Sequence, residues 1–310
     1  MFKNKEYVLT VYKEGSFTKA AEKLFISQPS LSASVKRIED KISAPIFDRS
    51  CNPVALTEVG KEYVKFALDI ENKEKEFASY ISDHENLFVG KIRIGGSSFF
   101  SSFVLPELIS EFNKDYPKIQ FEIFEDSTKN LMNKLFCGDL DVIIDNSRTD
   151  DEWIVPHAYK KERLIIAVPK NLKINEKLIK YAFTVQDVIS GKHIYKDGVD
   201  LGVFKNEKFI LLNHENDTGK RAQKLLRKSG ITPKVALHLD QQLTAYNVTC
   251  SGMGITFVSD TLVKKMGLDS QVCYYKLNDD ITTREIYLYV KKNHYLSHAC
   301  RKFIERNTEN

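Results

Sequence analysis

The chain lacks most of what would anchor it in a membrane, hold a metal or catalyse a reaction. No apolar run approaches the ~18 residues of a membrane-spanning helix. The start, Met1-Phe2-Lys3-Asn4-Lys5-Glu6, holds no hydrophobic signal core, so a cytoplasmic protein without a membrane partner is expected. The five cysteines, at 51, 137, 250, 273 and 300, form no Cys-x-x-Cys pair. Their scatter excludes the usual zinc and dithiol motifs and predicts free thiols. A nucleophile elbow, a phosphate loop, a His-Glu-x-x-His pattern and a metal-ligand cluster are all missing. Neither a cofactor nor an enzymatic activity is therefore expected. Excess charge is lacking too: 46 Lys and Arg against 42 Asp and Glu leave +4, too little to name a nucleic-acid partner by itself.

What is present is a 310-residue chain, 42% apolar, long enough for two or three domains with ordinary cores. Its most informative stretch lies near the start. Ser16 and Thr18 are both candidate N-caps for a helix from Phe17 to Leu24, with Ala20, Ala21 and Leu24 as a small apolar face. Phe25-Ile26 is a turn. Ser27 then caps a second helix carrying Pro29 in its first turn, where a missing N–H costs nothing. Leu31, Val35 and Ile38 fall at i, i+4 and i+7 and look inward. Pro29, Ala33, Lys36 and Arg37 then face outward, with Gln28, Ser30 and Ser32 at the edges and the N-terminal end. Two short helices joined by a tight turn are the layout of a helix-turn-helix. The outer face suits DNA: Gln pairs with adenine, Ser donates or accepts, Pro and Ala touch a thymine methyl, and Lys36 and Arg37 reach phosphates. An ordinary solvated helix face is the plain alternative.

Beyond the motif, Asn52-Pro53 supplies a turn between Pro45 and Thr57, as in a wing. From Thr57 to about Phe88 runs a long amphipathic helical pattern (Tyr63, Phe66, Ile70, Phe77, Tyr80 or Ile81, His84, Phe88), which wants a partner. From residue 90 the period changes. Strand patterns at 91–94, 119–124, 140–144, 163–168, 209–212, 235–239 and 286–290 alternate with helical ones, including a single helix over 98–114 and a closing helix over 294–306. That alternation predicts a doubly wound, mainly parallel α/β sheet. The chain crosses into a second subdomain near 164 and returns near 268. The polar stretch 170–200 has room for an extra helix at 176–182 and no evident function.

Ligands in such folds sit beyond the carboxyl ends of strands, or between subdomains. This singles out Ser97 and Ser98 after Gly95-Gly96, Ser127 and Thr128 at the next helix start, His214, Asn216 and Thr218 after a strand of the second subdomain, and Gln241. Helix N-termini there favour an anion, so a small effector, with a carboxylate among the expected chemistries, is anticipated. Each hydroxyl is equally well explained as a plain N-cap.

The combination Gly15-Ser16-Phe17-Thr18-Lys19-Ala20-Ala21, Ser27-Gln28-Pro29, Leu31-Ser32, Arg37-Ile38-Glu39, Pro45-Ile46-Phe47-Asp48-Arg49 and Leu56-Thr57-Glu58-Val59-Gly60 resembles the DNA-binding domain of LysR-type transcriptional regulators. The likeness continues more loosely through Gly90 to Gly95, Leu105-Pro106, Gly138 to Ile144 and Gly252 to Ile255. It implies a winged helix-turn-helix over 1–58, a dimerisation helix over 59–88 and a two-subdomain effector domain of periplasmic-binding-protein type over 89–310. It implies as DNA-contacting residues Ser16, Thr18, Ser27, Gln28, Pro29, Ser30, Ser32, Lys36, Arg37, Arg49, Asn52 and Thr57, and as effector loops those named above. It implies a homodimer through the long helix, a tetramer built from it, and RNA polymerase as a further partner. One departure stands out: where the family often carries an arginine in the wing, this chain has Asn52, which brings no charge to a narrow minor groove. Residues 1–58 hold only nine Lys or Arg against seven Asp or Glu, so affinity rests on pairing two copies. The competing class is a solute-binding or enzymatic α/β protein with an accessory DNA-binding domain. A purely architectural DNA binder leaves some 220 residues without a role.

Overall fold

The computed structural model describes residues 1–310 apart from 52, 86–89, 150, 215, 268–270 and 309–310; for 79 and 82–85 the backbone alone is described. The chain divides into two compact units, Met1–His84 and Glu85–Asn310.

In the first unit, α1 (Lys5–Glu14), α2 (Phe17–Lys23) and α3 (Gln28–Ile42) precede a two-stranded wing, β1 (Phe47–Asp48) and β2 (Ala55–Leu56), and a long helix, α4 (Glu58–Glu85). Local chemistry sets these boundaries. The Ser16 hydroxyl accepts the Lys19 N–H, so Ser16 rather than Thr18 caps α2. The Ser27 hydroxyl accepts the Ser30 N–H at the start of α3, with Pro29 in the first turn. Val8, Leu9 and Val11, Phe17, Ala20 and Ala21, and Leu31, Val35 and Ile38 are buried where the three helices meet, and Ile46 is buried too. Each large apolar side chain among them contributes about 1.5–3 kcal/mol. Gly60 lets α4 start beside the wing: a Cβ there would lie 2.0 Å from the Ile46 carbonyl oxygen. The expected end of the long helix at Phe88, and the His84 side chain, lie outside the described residues.

The second unit runs β3 (Gly90–Gly96), α5 (Ser98–Phe103), α6 (Leu105–Asp115), β4 (Ile119–Glu125), α7 (Thr128–Phe136), β5 (Val142–Asp145), β6 (Ile154–Pro169), α8 (Ile174–Leu178), α9 (Val185–Ile189), β7 (Lys208–Leu212), α10 (Asp217–Lys228), β8 (Lys234–Leu239), α11 (Gln242–Cys250), β9 (Ile255–Ser259), α12 (Asp260–Met266), β10 (Val272–Lys276), β11 (Thr283–Lys291) and α13 (His298–Asn307). The strands lie in the order β4-β3-β5-β11-β6-β9-β7-β8, with β10 also on β6. β6 is the spine. Its residues 154–163 pair with β11 and its residues 164–169 with β9 and β10, so the strand changes partners at Arg163/Leu164. The expected return at 268 falls on residues outside those described. β10 still pairs with the second half of β6, so the return comes at Thr283, later than the sequence suggested.

Two further expectations need correcting. The sheet is mixed: β3 runs parallel to β4 and β5, and β7 to β8 and β9, but β5–β11, β11–β6, β6–β9 and β6–β10 are antiparallel. The helix expected over 98–114 is broken at Val104: Pro106 lacks the N–H that a continuous helix would bond to the carbonyl four residues back, and its ring clashes there, so it sits instead in the first turn of a new helix.

The polar 170–200 stretch covers the second subdomain. Leu178, Phe183, Val185, Val188 and Val199 are buried. Bridges Phe183↔Tyr274 and Val199↔Leu277 tie the stretch to the sheet and the segment that follows it. One apolar cluster is continuous across both subdomains, from Ile92 and Phe112 to Val258 and Tyr274. All five cysteines are free. Among the described residues no helix is long and apolar enough to cross a membrane, and no His/Cys/Asp/Glu group is arranged to hold a metal.

Candidate functional site

The first unit presents α3 as an open face. Gln28, Pro29, Ser30, Lys36 and Arg37 are exposed and Ser32 half-buried. Gln28 Nε2 lies 3.4 Å from Ser32 Oγ, which pre-orients both polar ends. Neither Lys36 nor Arg37 has an ion-pair partner among the described residues, so both charges are available to phosphates. Ser16 and Ser27 cap helices, and Thr18 is exposed at the start of α2.

The wing residues are engaged within the fold. Glu39 Oε1 accepts the N–H groups of Ile46 (2.8 Å) and Phe47 (3.3 Å), while its other oxygen pairs with Arg49 at 3.4 Å. The Arg49 guanidinium also lies 4.7 Å over the Phe17 ring. The Thr57 hydroxyl donates to the Pro45 carbonyl at 2.7 Å and accepts the Gly60 N–H at 2.9 Å, so it locks the wing to α4. Asn52 lies outside the described residues.

The turn into α3 has an unusual residue. Phe25 N–H bonds the Glu22 carbonyl at 3.1 Å and Ile26 N–H bonds the Ala21 carbonyl at 3.1 Å. This is the Schellman pattern that ends a helix, and its left-handed position ordinarily holds Gly or Asn. Here Phe25 occupies it at φ 55. The left-handed region costs a residue with a Cβ about 1–2 kcal/mol, and the ring is 95% exposed.

On α4, Phe66, Ile70 and Phe77 line an apolar groove with Asp69, Lys73 and Glu74 at its rim. Phe66 and Phe77 are more than half exposed, and Tyr80 and Ile81 continue the exposed apolar surface of the helix. Phe66 and Phe77 are thus large apolar side chains held in water on one face of α4.

In the second unit, the floor between the subdomains is a chain of buried charges. Glu162 on β6 and Arg284 on β11 are cross-strand partners and bond Nε to Oε1 at 2.7 Å. Both side chains are essentially inaccessible. From the first subdomain, Asn146 Nδ2 donates to the same Glu162 oxygen at 2.9 Å. From the second, Asp217 at the start of α10 accepts from Arg284 at 2.7 Å and from Arg221 at 2.7 Å. The Thr218 hydroxyl accepts from Arg284 (3.0 Å) and Gln242 (3.3 Å), and Gln242 in turn accepts from Ser259 (3.2 Å). Burial opposes the Arg284 charge, but the carboxylates of Glu162 and Asp217 outweigh it. Arg284 NH2 and Glu162 Oε2 are buried without a partner among the described residues, leaving one free donor and one free acceptor at the floor.

Beside this chain sits Asp145, which accepts from Thr128 Oγ1 at 2.7 Å and from the Ser147 N–H at 2.6 Å. Burial pushes its carboxyl up, against those hydrogen bonds, and the nearby Asp217 adds to the rise.

Of the residues singled out in the sequence, Thr128 and Thr218 thus belong to the buried floor. Ser98 donates to the Glu125 carboxylate. Ser97 stands at the start of α5 without a side-chain cap bond, while Ser127 caps α7 and Asn216 caps α10. His214 is an exposed loop residue, and Gln241 is exposed beside the buried Gln242. Sequence reasoning missed Asp145, Glu162, Asp217, Gln242 and Arg284. Only Asp217 carried a local signal, an acid in the first turn of a helix.

Comparison with known proteins gives full-length matches. The profile of the bacterial regulatory helix-turn-helix protein, lysR family, covers residues 2–61, and that of the LysR substrate binding domain covers 85–310. Among similar proteins, an uncharacterised HTH-type transcriptional regulator, YcgK of Bacillus subtilis, is 24% identical over 306 residues, covering 98% of this chain and 93% of that protein. A probable RuBisCO transcriptional regulator of Trichormus variabilis is 26% identical over 298 residues, covering 94% and 82%. Among solved structures, a cysteine-to-aspartate variant of full-length OxyR from Pseudomonas aeruginosa superposes with a TM-score of 0.71 at 19% identity, covering 100% of this chain and 98% of that one. Full-length CbnR complexed with its target DNA gives 0.60 at 16% identity, covering 99% and 98%.

Proposed function

Because the chain belongs to the LysR family of bacterial transcriptional regulators, we propose that it reads promoter DNA in the cytoplasm through α3, as a homodimer joined along α4, and that a small effector at the floor between the two subdomains of the second unit tunes that binding. It is a DNA-binding regulator and not an enzyme. The observation that carries the DNA assignment is the open face of α3, where Gln28, Ser30 and Ser32 are presented beside the unpaired cations Lys36 and Arg37. Direct readout needs such donors and acceptors at a helix N-terminus, flanked by charge for phosphates. Arg49 and Thr57 act through the wing's shape, since both already bind within the domain.

Dimerisation follows from the apolar face of α4. A dimer doubles the phosphate contacts that the small positive excess of one DNA-binding domain cannot supply alone. Exposed Ile123 on edge strand β4 and Val235 on edge strand β8 support further assembly into a tetramer. RNA polymerase is the partner that a promoter-bound regulator acts upon.

For the effector, the floor joining Asn146, Glu162, Arg284, Asp217 and Thr218 bridges both subdomains. A ligand that changes these bonds biases the relation between the subdomains, as coupling requires. The free donor on Arg284 and free acceptor on Glu162 fit a small polar ligand. A carboxylate finds a partner in the arginine but meets repulsion from Asp145 and Asp217.

The test is sequencing of chromosomal fragments crosslinked to the protein in cells. Enrichment of paired half-sites in promoter regions supports the proposal, and fragments without a common site overturn it. Metabolites of the flanking genes then form the effector screen, read as thermal shifts of the full chain. A ligand whose shift survives substitution of both Thr128 and Thr218 by Val does not bind at this floor.

A further inference from the structure

We propose that Phe25, in the turn that leads into α3, is a DNA-contacting residue whose ring packs against the apolar sugar-and-methyl surface of the duplex. The proposal rests on the reading of α3 as the DNA-binding helix and extends it to a residue outside that helix.

Two independent observations point the same way. The first is backbone geometry. Both Schellman hydrogen bonds are made, and the left-handed residue between them is a phenylalanine at φ 55. Gly or Asn closes this turn with less strain. A bulky side chain held in a rare backbone region is a common mark of a functional position. The second is exposure. The ring is 95% exposed, more than any other large apolar side chain in the described residues. It gives the folded chain little burial in return for the strain.

Position supplies the occupant. Ile26 is half-buried and residues 27–30 beyond it are all exposed, so the ring stands two residues before the end of α3 that presents Gln28 and Ser30. A duplex docked on that end covers Phe25 by continuity. Deoxyribose and the thymine methyl are the apolar surfaces that DNA offers there, and Phe is among the residues that make such contacts. A ring losing part of its water-exposed surface in this way accounts for about a tenfold gain in affinity, or 1.4 kcal/mol.

The experiment uses full-length protein and a duplex enriched from random DNA by repeated selection on the wild type. Phe25→Gly removes the ring and relieves the turn, and Phe25→Asn does the same with a side chain retained. Both are expected to bind the duplex about tenfold more weakly while melting no lower than wild type. Gln28→Ala is the reference. If it weakens binding while both Phe25 variants bind as wild type, the proposal is overturned and the α3 reading stands. If all three bind as wild type, both fail. Replacing thymine by uracil in the duplex separates the two apolar sources. A wild-type loss that Phe25→Gly does not share assigns the ring to a methyl, and an unchanged difference between the two proteins assigns it to sugar. A Phe25→Gly variant that melts below wild type refutes the strain that the proposal starts from.

Discussion

Replacing Arg284 by Met should destabilise the second unit while sparing the first. The guanidinium is buried and bonds Glu162 and Asp217 at 2.7 Å each. Asp217 keeps Arg221 as a partner, whereas Glu162 keeps only the neutral Asn146. Removing one member of a buried pair costs about 3–5 kcal/mol, because the remaining charge has lost both water and partner. Asp217's second arginine puts the expectation near the lower end, about 3 kcal/mol. For a unit of this size that lowers the melting temperature by about 6–12 °C. The single tryptophan, Trp153, packs 5.3 Å from the Phe136 ring in the second unit. Urea unfolding followed by its fluorescence therefore reports this unit alone. Adding Glu162→Met should recover most of the loss, since apolar replacement of both partners is close to neutral. An Arg284→Met protein within about 1 kcal/mol of wild type, or a double variant no better than the single, refutes the assignment of a charge-paired floor.

Burial raises the Asp145 carboxyl above its unfolded value, so its contribution to stability is full below the unfolded value near pH 4 and is lost as pH rises through the folded one. Asp145→Asn should match wild type near pH 4 and be the more stable protein at pH 7 by tryptophan fluorescence; a constant difference across that range contradicts this. In Gly60→Ala the new Cβ would meet the Ile46 carbonyl oxygen at 2.0 Å, costing about 1–3 kcal/mol. Circular dichroism should show the first unit melting earlier while the Trp153 transition stays put, and an unchanged first unit would mean that α4 can shift away. Phe77→Asp places a charge on the apolar face of α4 and, counted once on each copy, should weaken dimerisation at least about 100-fold. Sedimentation at micromolar concentration reads this directly, and an unaltered dimer removes α4 from the interface.

The helix-turn-helix was legible because its determinants are local. Ser16, Ser27 and Pro29 act within three residues, and Leu31, Val35 and Ile38 repeat at helical spacing. The first half of β6 was not, since His157, Lys160, Lys161 and Glu162 interrupt any apolar alternation. The strand is held instead by β11, about 120 residues later in sequence, as in Arg163↔Thr283. The floor between the subdomains was hidden for the same reason. Arg284 meets Glu162 across 122 positions and Asp217 across 67, and no spacing rule links residues so far apart. The loops around Ser98, Thr128 and Thr218 could be named from topology, but not which hydroxyl faces a carboxylate. Phe25 passed as a plain turn residue because composition does not reveal its left-handed backbone.

The central claim is that α3 reads base sequence. It is tested most directly by titrating Gln28→Ala and Lys36→Ala proteins against the selected duplex and a scrambled one at several salt concentrations. Gln28→Ala should lose about 1–3 kcal/mol on the selected duplex and almost nothing on the scrambled one. Lys36→Ala should weaken both alike and reduce the salt dependence by about one phosphate contact for each subunit. Equal losses on the two duplexes for Gln28→Ala would contradict base readout by this helix.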